Sequence, residues 1–365
     1  MNSQSQLTYP IPPDFLMQQI LGPKATSEGY LYGGYVVSAG IRRILRLVGR
    51  RFQDFKYVLD FGCGCARVLR WFHDLRPSSI FYGTDISQEA INWCKENIPF
   101  AKFTKNDPFP PLPFPNESFD LVYGVSVFTH LDEEYQFAWL KELQRITRPG
   151  AIIMLTAHGD SKAYMDLSDE EYVQFQNNGF VYKRAVEHGG VDGLPDFYQV
   201  TYHSRHYVER IWSKFFRISV YLRHGPLWLQ DLVLMEKPRK KSLASNHKHE
   251  LSYVYLDLPI ANLEVPRLGA LVNEDQIGVS GWAFHPDGGT VNLDLWIDGE
   301  RFESCVTEIP RPDVAEAYPR CPSAKLSGFA TTIPSKNLSE GLHVFEVSAR
   351  TNIVPLCLTY FLKES

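Results

Sequence analysis

Asp60, Gly62 and Gly64 follow a short apolar run in VLDFGCGCARVLRWF, the stretch Val58 to Phe72, and these residue types at this spacing describe a cradle for a nucleotide-like ligand. Glycine lets the backbone approach a ligand with no Cβ in the way, and a carboxylate at a strand end supplies a charged acceptor. A dinucleotide fingerprint would need a third glycine at the sixth position of G-x-G-x-x-G, where this chain has Arg67, and the phosphate-binding P-loop signature is missing. Asp85 ends the next apolar run, IFYGT, and Asn106 and Asp107 follow AKFTK. Three histidines stand where strands should give way to loops or helices: His130 in SVFTHL, His158 in LTAHG and His203 in TYHS. Imidazole titrates near neutrality and suits proton abstraction from a hydroxyl. Plain structural roles stay open for all of them: a turn cap for Asp60, a solvated strand end for Asp85, a helix cap or loop bridge for each histidine.

On these residues the chain resembles the class I S-adenosyl-L-methionine dependent methyltransferases, whose first motif is an acidic residue followed by G-x-G-x-G. The resemblance spans most of residues 30–237. It implies S-adenosyl-L-methionine as cofactor, bound by Asp60, Gly62, Gly64, Asp85, Ile86, Asn106, Asp107 and Val125. Within that set it gives Asp85 both ribose hydroxyls and Asn106 or Asp107 the adenine amino group. The family's third glycine is Ala66 here, a change expected to tighten the turn slightly rather than block it. Methyl transfer is an in-line displacement, so positioning does most of the work, worth about 7–11 kcal/mol. For a hydroxyl acceptor His158 ranks first as base, His130 second and His203 third, with His188 an outsider. Asp160 and Asp166 lack a distinctive cation spacing, and no metal is expected.

The elements that must position these groups alternate strand and helix, which predicts an α/β fold: a doubly wound Rossmann-like sheet with a closing antiparallel hairpin. Val37, Ile41, Ile44, Leu45 and Val48 recur at helical spacing before the first strand. Upstream, EGYLYGGYVVSAG sets Tyr30, Tyr32 and Tyr35 among glycines, either as a flexible lid over the cofactor or as core tyrosines. The cradle should lead directly into a helix. Ser87 caps the helix QEAINWCKEN, Ser168 and Glu171 form a capping box for EEYVQFQNN, and Ser204 caps HYVERIWSKFF. FRISVYL and DLVLMEK resemble the family's closing hairpin.

At 365 residues two domains are expected: 1–237 for the methyltransferase-like part with an N-terminal helical extension, 238–251 as a polar linker, and 252–365 as an all-β domain. In VNLDLWIDGERFESC the residues Val291, Leu293, Leu295 and Ile297 alternate, and Asp298-Gly299 is a hairpin turn. This part resembles an immunoglobulin-like β-sandwich fused to some bacterial enzymes of cell-surface glycan synthesis. His285 and His343 look isolated in it.

Charge divides with the domains: from Ser252 on, 15 acidic residues oppose 8 basic ones, and no clustered basic face for nucleic acid is evident. No apolar run approaches the roughly 20 residues of a membrane span, and MNSQSQLTYPIPP lacks the basic start and apolar core of a secretory signal. Six cysteines without zinc spacing point to a reducing cytoplasm. The reading is a cytoplasmic methyltransferase acting on oxygen of a sugar, glycolipid or polysaccharide end, its sandwich docking a glycan or protein partner. Alternatives are a small-molecule methyltransferase, a non-catalytic scaffold whose sandwich binds a partner, and, opposed by Arg67, a nicotinamide dehydrogenase.

Overall fold

The computed structural model of the protein describes residues 9–183, 198–227, 230–239, 253–267, 269–272, 275–349 and 355–363. Two compact units emerge: Met1–Ser38, Ile44–Arg223 and Gln230–Leu256 form the first, and Ala39–Arg43, His224–Leu229 and Asp257–Ser365 the second. The division falls after Leu256 rather than before Ser252, because a strand at Val254–Asp257 joins the edge of the first sheet. Residues 240–251 of the expected linker lie outside the described residues.

The first unit holds strands β1 (Tyr57–Phe61), β2 (Ile80–Asp85), β3 (Ala101–Lys105), β4 (Phe119–Gly124), β5 (Thr147–His158), β6 (Phe180–Lys183), β7 (Val200–His203), β8 (Arg217–Leu227), β9 (Gln230–Glu236) and β10 (Val254–Asp257). Its helices are α1 (Asp14–Leu21), α2 (Ser27–Leu47), α3 (Gln88–Asn97), α4 (Glu133–Ile146), α5 (Asp160–Asp166), α6 (Asp169–Asn178) and α7 (Arg205–Ile211). The main path across the sheet runs β10-β8-β9-β5-β4-β1-β2-β3. β1 is parallel to both neighbours, Val58 pairing with Phe81 of β2 and Leu121 of β4. Strands covered on both faces must be almost continuously apolar, as β1 and β4 are. β9 runs antiparallel to β5, so the expected closing strands are present and the sheet is mixed. From β1 the chain steps outward to β2 and β3, then returns to build β4 and β5 on the other side. That reversal opens a crevice at the carboxyl ends of β1 and β4.

Of the two readings of the tyrosine-glycine segment, the structure has the packed one, and one local expectation changes. The segment lies within α2, started by Thr26, whose hydroxyl accepts the Gly29 N–H at 3.0 Å. Tyr30 is fully buried and donates its hydroxyl to the Cys65 carbonyl at 2.6 Å, so the aromatic residues fasten the helix to the cradle. The cradle, in turn, leads into turns and a 3₁₀ helix, Leu69–Leu75, instead of an α-helix. Ala66 adopts a left-handed φ of 57°, which interrupts a regular helical start, and the Arg70 guanidinium reaches away to the Tyr9 and Pro10 carbonyls. The caps at Ser87, Ser168 and Ser204 form as expected.

The second unit contains β11 (Ile260–Val265), β12 (Ala270–Val272), β13 (Gln276–Phe284), β14 (Asn292–Ile297), β15 (Glu300–Val306), α8 (Pro312–Ala317), β16 (Gly328–Pro334), β17 (Gly341–Ala349) and β18 (Pro355–Lys363). They make a three-stranded sheet, β11-β13-β16, and a five-stranded one, β12-β18-β17-β14-β15. One apolar cluster draws on both sheets, joining Val279 and Phe329 to Leu293, Leu295 and Phe345. Among the described residues no helix is long and apolar enough to cross a membrane.

Candidate cofactor site

A cavity of about 270 Å³ opens at the carboxyl ends of β1, β2 and β4, where the reversal of strand order requires a crevice. Its floor is the glycine turn. Gly62 and Gly64 have φ of 74° and 50°, and a Cβ on Gly62 would stand 2.3 Å from Val127 Cγ2, inside the cavity wall. The Gly62 and Cys63 amides both donate to the Thr84 carbonyl, at 2.8 and 2.9 Å. Asp85 completes the fastening: one oxygen accepts the Gly64 N–H at 2.8 Å and the other the Ser87 N–H at 2.9 Å. Ala66 explains why a glycine would be easier at its position, since a left-handed φ costs an L-residue about 1–2 kcal/mol.

Burial dominates the electrostatics. Asp85 is pushed above the usual carboxylate range by desolvation, opposed by the amides of Ser87, Gly64 and Ile86. Asp60 is pushed up to about 8 by burial; the Tyr123 hydroxyl, which donates to it at 3.0 Å, pulls the other way, Asp85 adds repulsion and Arg67 attraction. A carboxyl whose pKa is raised on folding favours the folded state below its unfolded pKa near 4 and loses that contribution as pH rises through about 8. Across that window wild type should therefore lose on the order of 1.4 kcal/mol per pH unit relative to Asp60→Asn. Urea unfolding of both proteins from pH 4.5 to 8 measures the difference, and parallel curves would contradict it.

Ile86, Asn106 and Val125 also line the cavity, whereas Asp107 is exposed and does not. Asp107 contributes its backbone carbonyl, which accepts from Asn106 Nδ2 at 2.8 Å. That bond aims Asn106, and among the described residues its buried Oδ1 has no hydrogen-bond partner. Several lining residues carried no sequence signal for the site. Leu16, Gln19 and Ile20 of α1 wall one side; Ser126, at a left-handed φ of 58°, is held by Thr156 and Gln230; Tyr198 closes another side. Only the amphipathic spacing of α1 could have hinted that the N-terminal segment packs on the cradle, and nothing in it pointed to a ligand.

None of the three ranked histidines lines the cavity. His203 is fully buried, its Nε2 is bonded to the Gln136 side chain, and burial pushes its pKa down to about 3, which makes it a poor base at neutral pH. His158 is 9 % exposed and burial holds it well below the ordinary imidazole range, a poor base for neutral pH. Its Nδ1 lies 3.2 Å from the Thr201 carbonyl, and His130 Nδ1 lies 2.7 Å from the Gln199 carbonyl. A carbonyl only accepts, so both rings carry hydrogen on Nδ1 and keep Nε2 as the proton-accepting nitrogen. His130 stacks on Tyr198, ring centroids 4.0 Å apart, and so stands directly behind the cavity wall. His188 lies outside the described residues.

In the second unit the histidines are not isolated. His343 Nδ1 meets Asp298 at 2.7 Å and supports the hairpin turn. His285 stands between Asp257 and Asp287, at 3.3 and 3.7 Å.

Residues 58–150 match the family model of the methyltransferase domain. A fatty-acid O-methyltransferase of Mycolicibacterium smegmatis is 32% identical over 122 residues, covering 32% of this chain and 41% of its own. A 2-methyl-6-phytyl-1,4-hydroquinone methyltransferase of Synechocystis is 34% identical over 104 residues, 27% of this chain and 30% of that protein. The chain thus spans less than half the length of these curated relatives. A solved methyltransferase structure from Methanosarcina mazei superposes with a TM-score of 0.37 at 20% identity, covering 50% of this chain and 93% of that one. The chain carries a methyltransferase domain, and the group to test against the cavity is the S-adenosyl-L-methionine that the sequence resemblance implies. The residues present fit that group: a glycine floor without side chains, a carboxylate at the end of β2, and Asn106 in the cavity wall.

Proposed function

We propose that the protein transfers a methyl group from S-adenosyl-L-methionine to an oxygen of a sugar or glycan end. The observation that carries the cofactor half of this reading is the cavity at the strand ends, lined together by Gly62, Gly64, Asp85 and Asn106. Asp85, Ile86 and Val125 would hold the nucleoside, with Gly62 and Gly64 beneath it. The cofactor supplies an electrophilic methyl on a sulfonium. The chain's own residues hold it in line, exclude water and receive the acceptor's proton.

For that proton His130 Nε2 is the best placed of the three histidines, because its ring packs on Tyr198 and its Nδ1 is fixed by Gln199. His130→Gln is expected to lower kcat about 10²- to 10⁴-fold while leaving S-adenosylhomocysteine affinity unchanged. His203→Gln should leave kcat within a few-fold, and the reverse pattern would return the role to His203.

An oxygen acceptor is supported by the mycobacterial relative, a fatty-acid O-methyltransferase. The sugar is supported by the aromatic and polar residues of the segment between β5 and β8, and by the second unit, read as an immunoglobulin-like sandwich that docks the glycan. Free cysteines throughout the described residues fit a reducing cytoplasm. Incubation with methyl-labelled cofactor and parallel panels of sugars, glycolipids and fatty acids tests the acceptor. Label in fatty acids alone would overturn the glycan reading and leave the methyltransferase intact.

A further inference from the structure

The second unit gathers imidazole and carboxylate groups from three segments that are far apart in the chain. β11 runs antiparallel to β13 with Ile260 opposite Phe284, so the residues just before Ile260 lie beside those just after Phe284. Asp257 and His285 meet there, His285 Nε2 standing 3.3 Å from Asp257 Oδ1. At the other ring nitrogen, Nδ1 accepts the Asp287 N–H at 3.3 Å and lies 3.7 Å from Asp287 Oδ2. The Ser323 hydroxyl donates to the His285 carbonyl at 2.6 Å and fixes the backbone that carries the ring. His224 comes from the third segment: it is 5 % exposed, its ring centroid lies 6.3 Å from that of His285, and its Nδ1 lies 2.5 Å from the Leu258 carbonyl. A carbonyl only accepts, so Nδ1 of His224 carries the hydrogen and Nε2 the lone pair. All four residues belong to the second unit.

We propose that Asp257, His285, Asp287 and His224 form a binding site for a divalent transition-metal cation of the zinc class. Among the described residues, Asp257, His285 and Asp287 each offer a ligand atom, and these atoms all lie within 4.8 Å of one another. Donors on a tetrahedral zinc stand about 3.4 Å apart, so side-chain shifts of about an ångström suffice to close on an ion. Charge argues the same way: a protonated imidazole brings one positive charge to two carboxylates, whereas a dication matches both. The part from Ser252 on carries 15 acidic residues against 8 basic ones, a field that favours a cation. Two imidazoles among the donors select a transition metal over magnesium or calcium, which take oxygen ligands. One nitrogen of the His285 ring binds the ion while the other stays with its present neighbour, and His224 is oriented by its bond to a backbone carbonyl, as metal-bound imidazoles commonly are. The ion ties the start of β11 to the turn after β13. No ligand spacing marks the site in the sequence, because its donors meet through strand pairing.

Calorimetric titration of the chelator-treated full chain with zinc chloride tests the proposal. Wild type should bind one zinc ion at this site, magnesium in excess should not displace it, and zinc should raise the melting temperature. Asp257→Asn and Asp287→Asn, which change charge and not size, should each weaken zinc affinity about 10- to 100-fold, and His285→Gln and His224→Gln at least as much. Asp287 is exposed, so its variant keeps the fold and the test stands even where a histidine variant does not fold. His343→Gln, in the same unit but bonded to Asp298, should bind zinc like wild type. Cobalt in place of zinc should give visible bands of a nitrogen and oxygen site without the intense thiolate charge-transfer band. Failure of wild type to bind zinc would overturn the site. So would zinc binding unchanged by the substitutions in the cluster, which would place the ion on other groups such as the cysteine thiols. Equal affinity for magnesium would overturn the choice of a transition metal.

Discussion

Asp85→Ala is expected to weaken S-adenosylhomocysteine binding at least about a hundredfold, the largest effect of any single change in the cavity. Each charge-assisted hydrogen bond is worth about 1.5–3 kcal/mol, and the carboxylate is placed to offer two acceptors at the end of β2. The same substitution strips the acceptors from the Gly64 and Ser87 amides, which now bond at 2.8 and 2.9 Å, so the glycine floor also loses its fixed shape. Calorimetry gives the affinity, and a thermal melt of the free protein separates a lost ligand contact from a lost fold. A variant that stays folded and binds like wild type would remove Asp85 from the site.

Gly34→Ala should destabilise the first unit, although the same change inside a helix ordinarily gains about 0.5–1 kcal/mol. A Cβ at Gly34 would stand 2.0 Å from the Arg67 carbonyl oxygen and 2.7 Å from Trp71 Nε1. Backbone cannot step aside as a side chain can, so α2 must move off the turn, and overpacking of this kind costs about 1–3 kcal/mol. At about 2–4 °C per kcal/mol, the melting temperature should fall several degrees. Affinity for S-adenosylhomocysteine should fall with it, because Arg67 and the glycine floor move together. A rise in melting temperature would mean that the helix is loosely held, and a mobile cover over the cavity would become the better description.

These two experiments fall on either side of what the chain's order reveals. Asp85 was legible because parallel strands carry their signal locally: an apolar run, a residue with chemistry at its carboxyl end, and a turn or cap immediately after it. Asp60, Gly62, Gly64, Asn106 and the caps at Ser87, Ser168 and Ser204 were readable for the same reason, since each depends on a few neighbours in sequence. The alternation of strand and helix then sufficed for the α/β fold, and the return to period two after residue 252 for a separate strand-rich part.

Gly34 belongs to the other class. Its reason for being glycine is a carbonyl 33 residues away, and the segment around it reads equally well as a lid or as a packed helix until α2 meets the turn. The histidines divide similarly. All three stand at strand ends in the sequence, but only packing decides that His203 is sealed against Gln136 while His130 lies behind Tyr198. Asn106 and Asp107 are adjacent in sequence, yet Asn106 is buried in the cavity wall and Asp107 is exposed, a difference of one residue in register. Arg67 entered the sequence reading only as a missing glycine. The sequence by itself determined the sheet, the cradle and the carboxylates, because those are written in local order. Which charges face one another, and which side chains are taken from water, only the tertiary structure decided, because burial and long-range contact belong to the folded chain and to no segment of it.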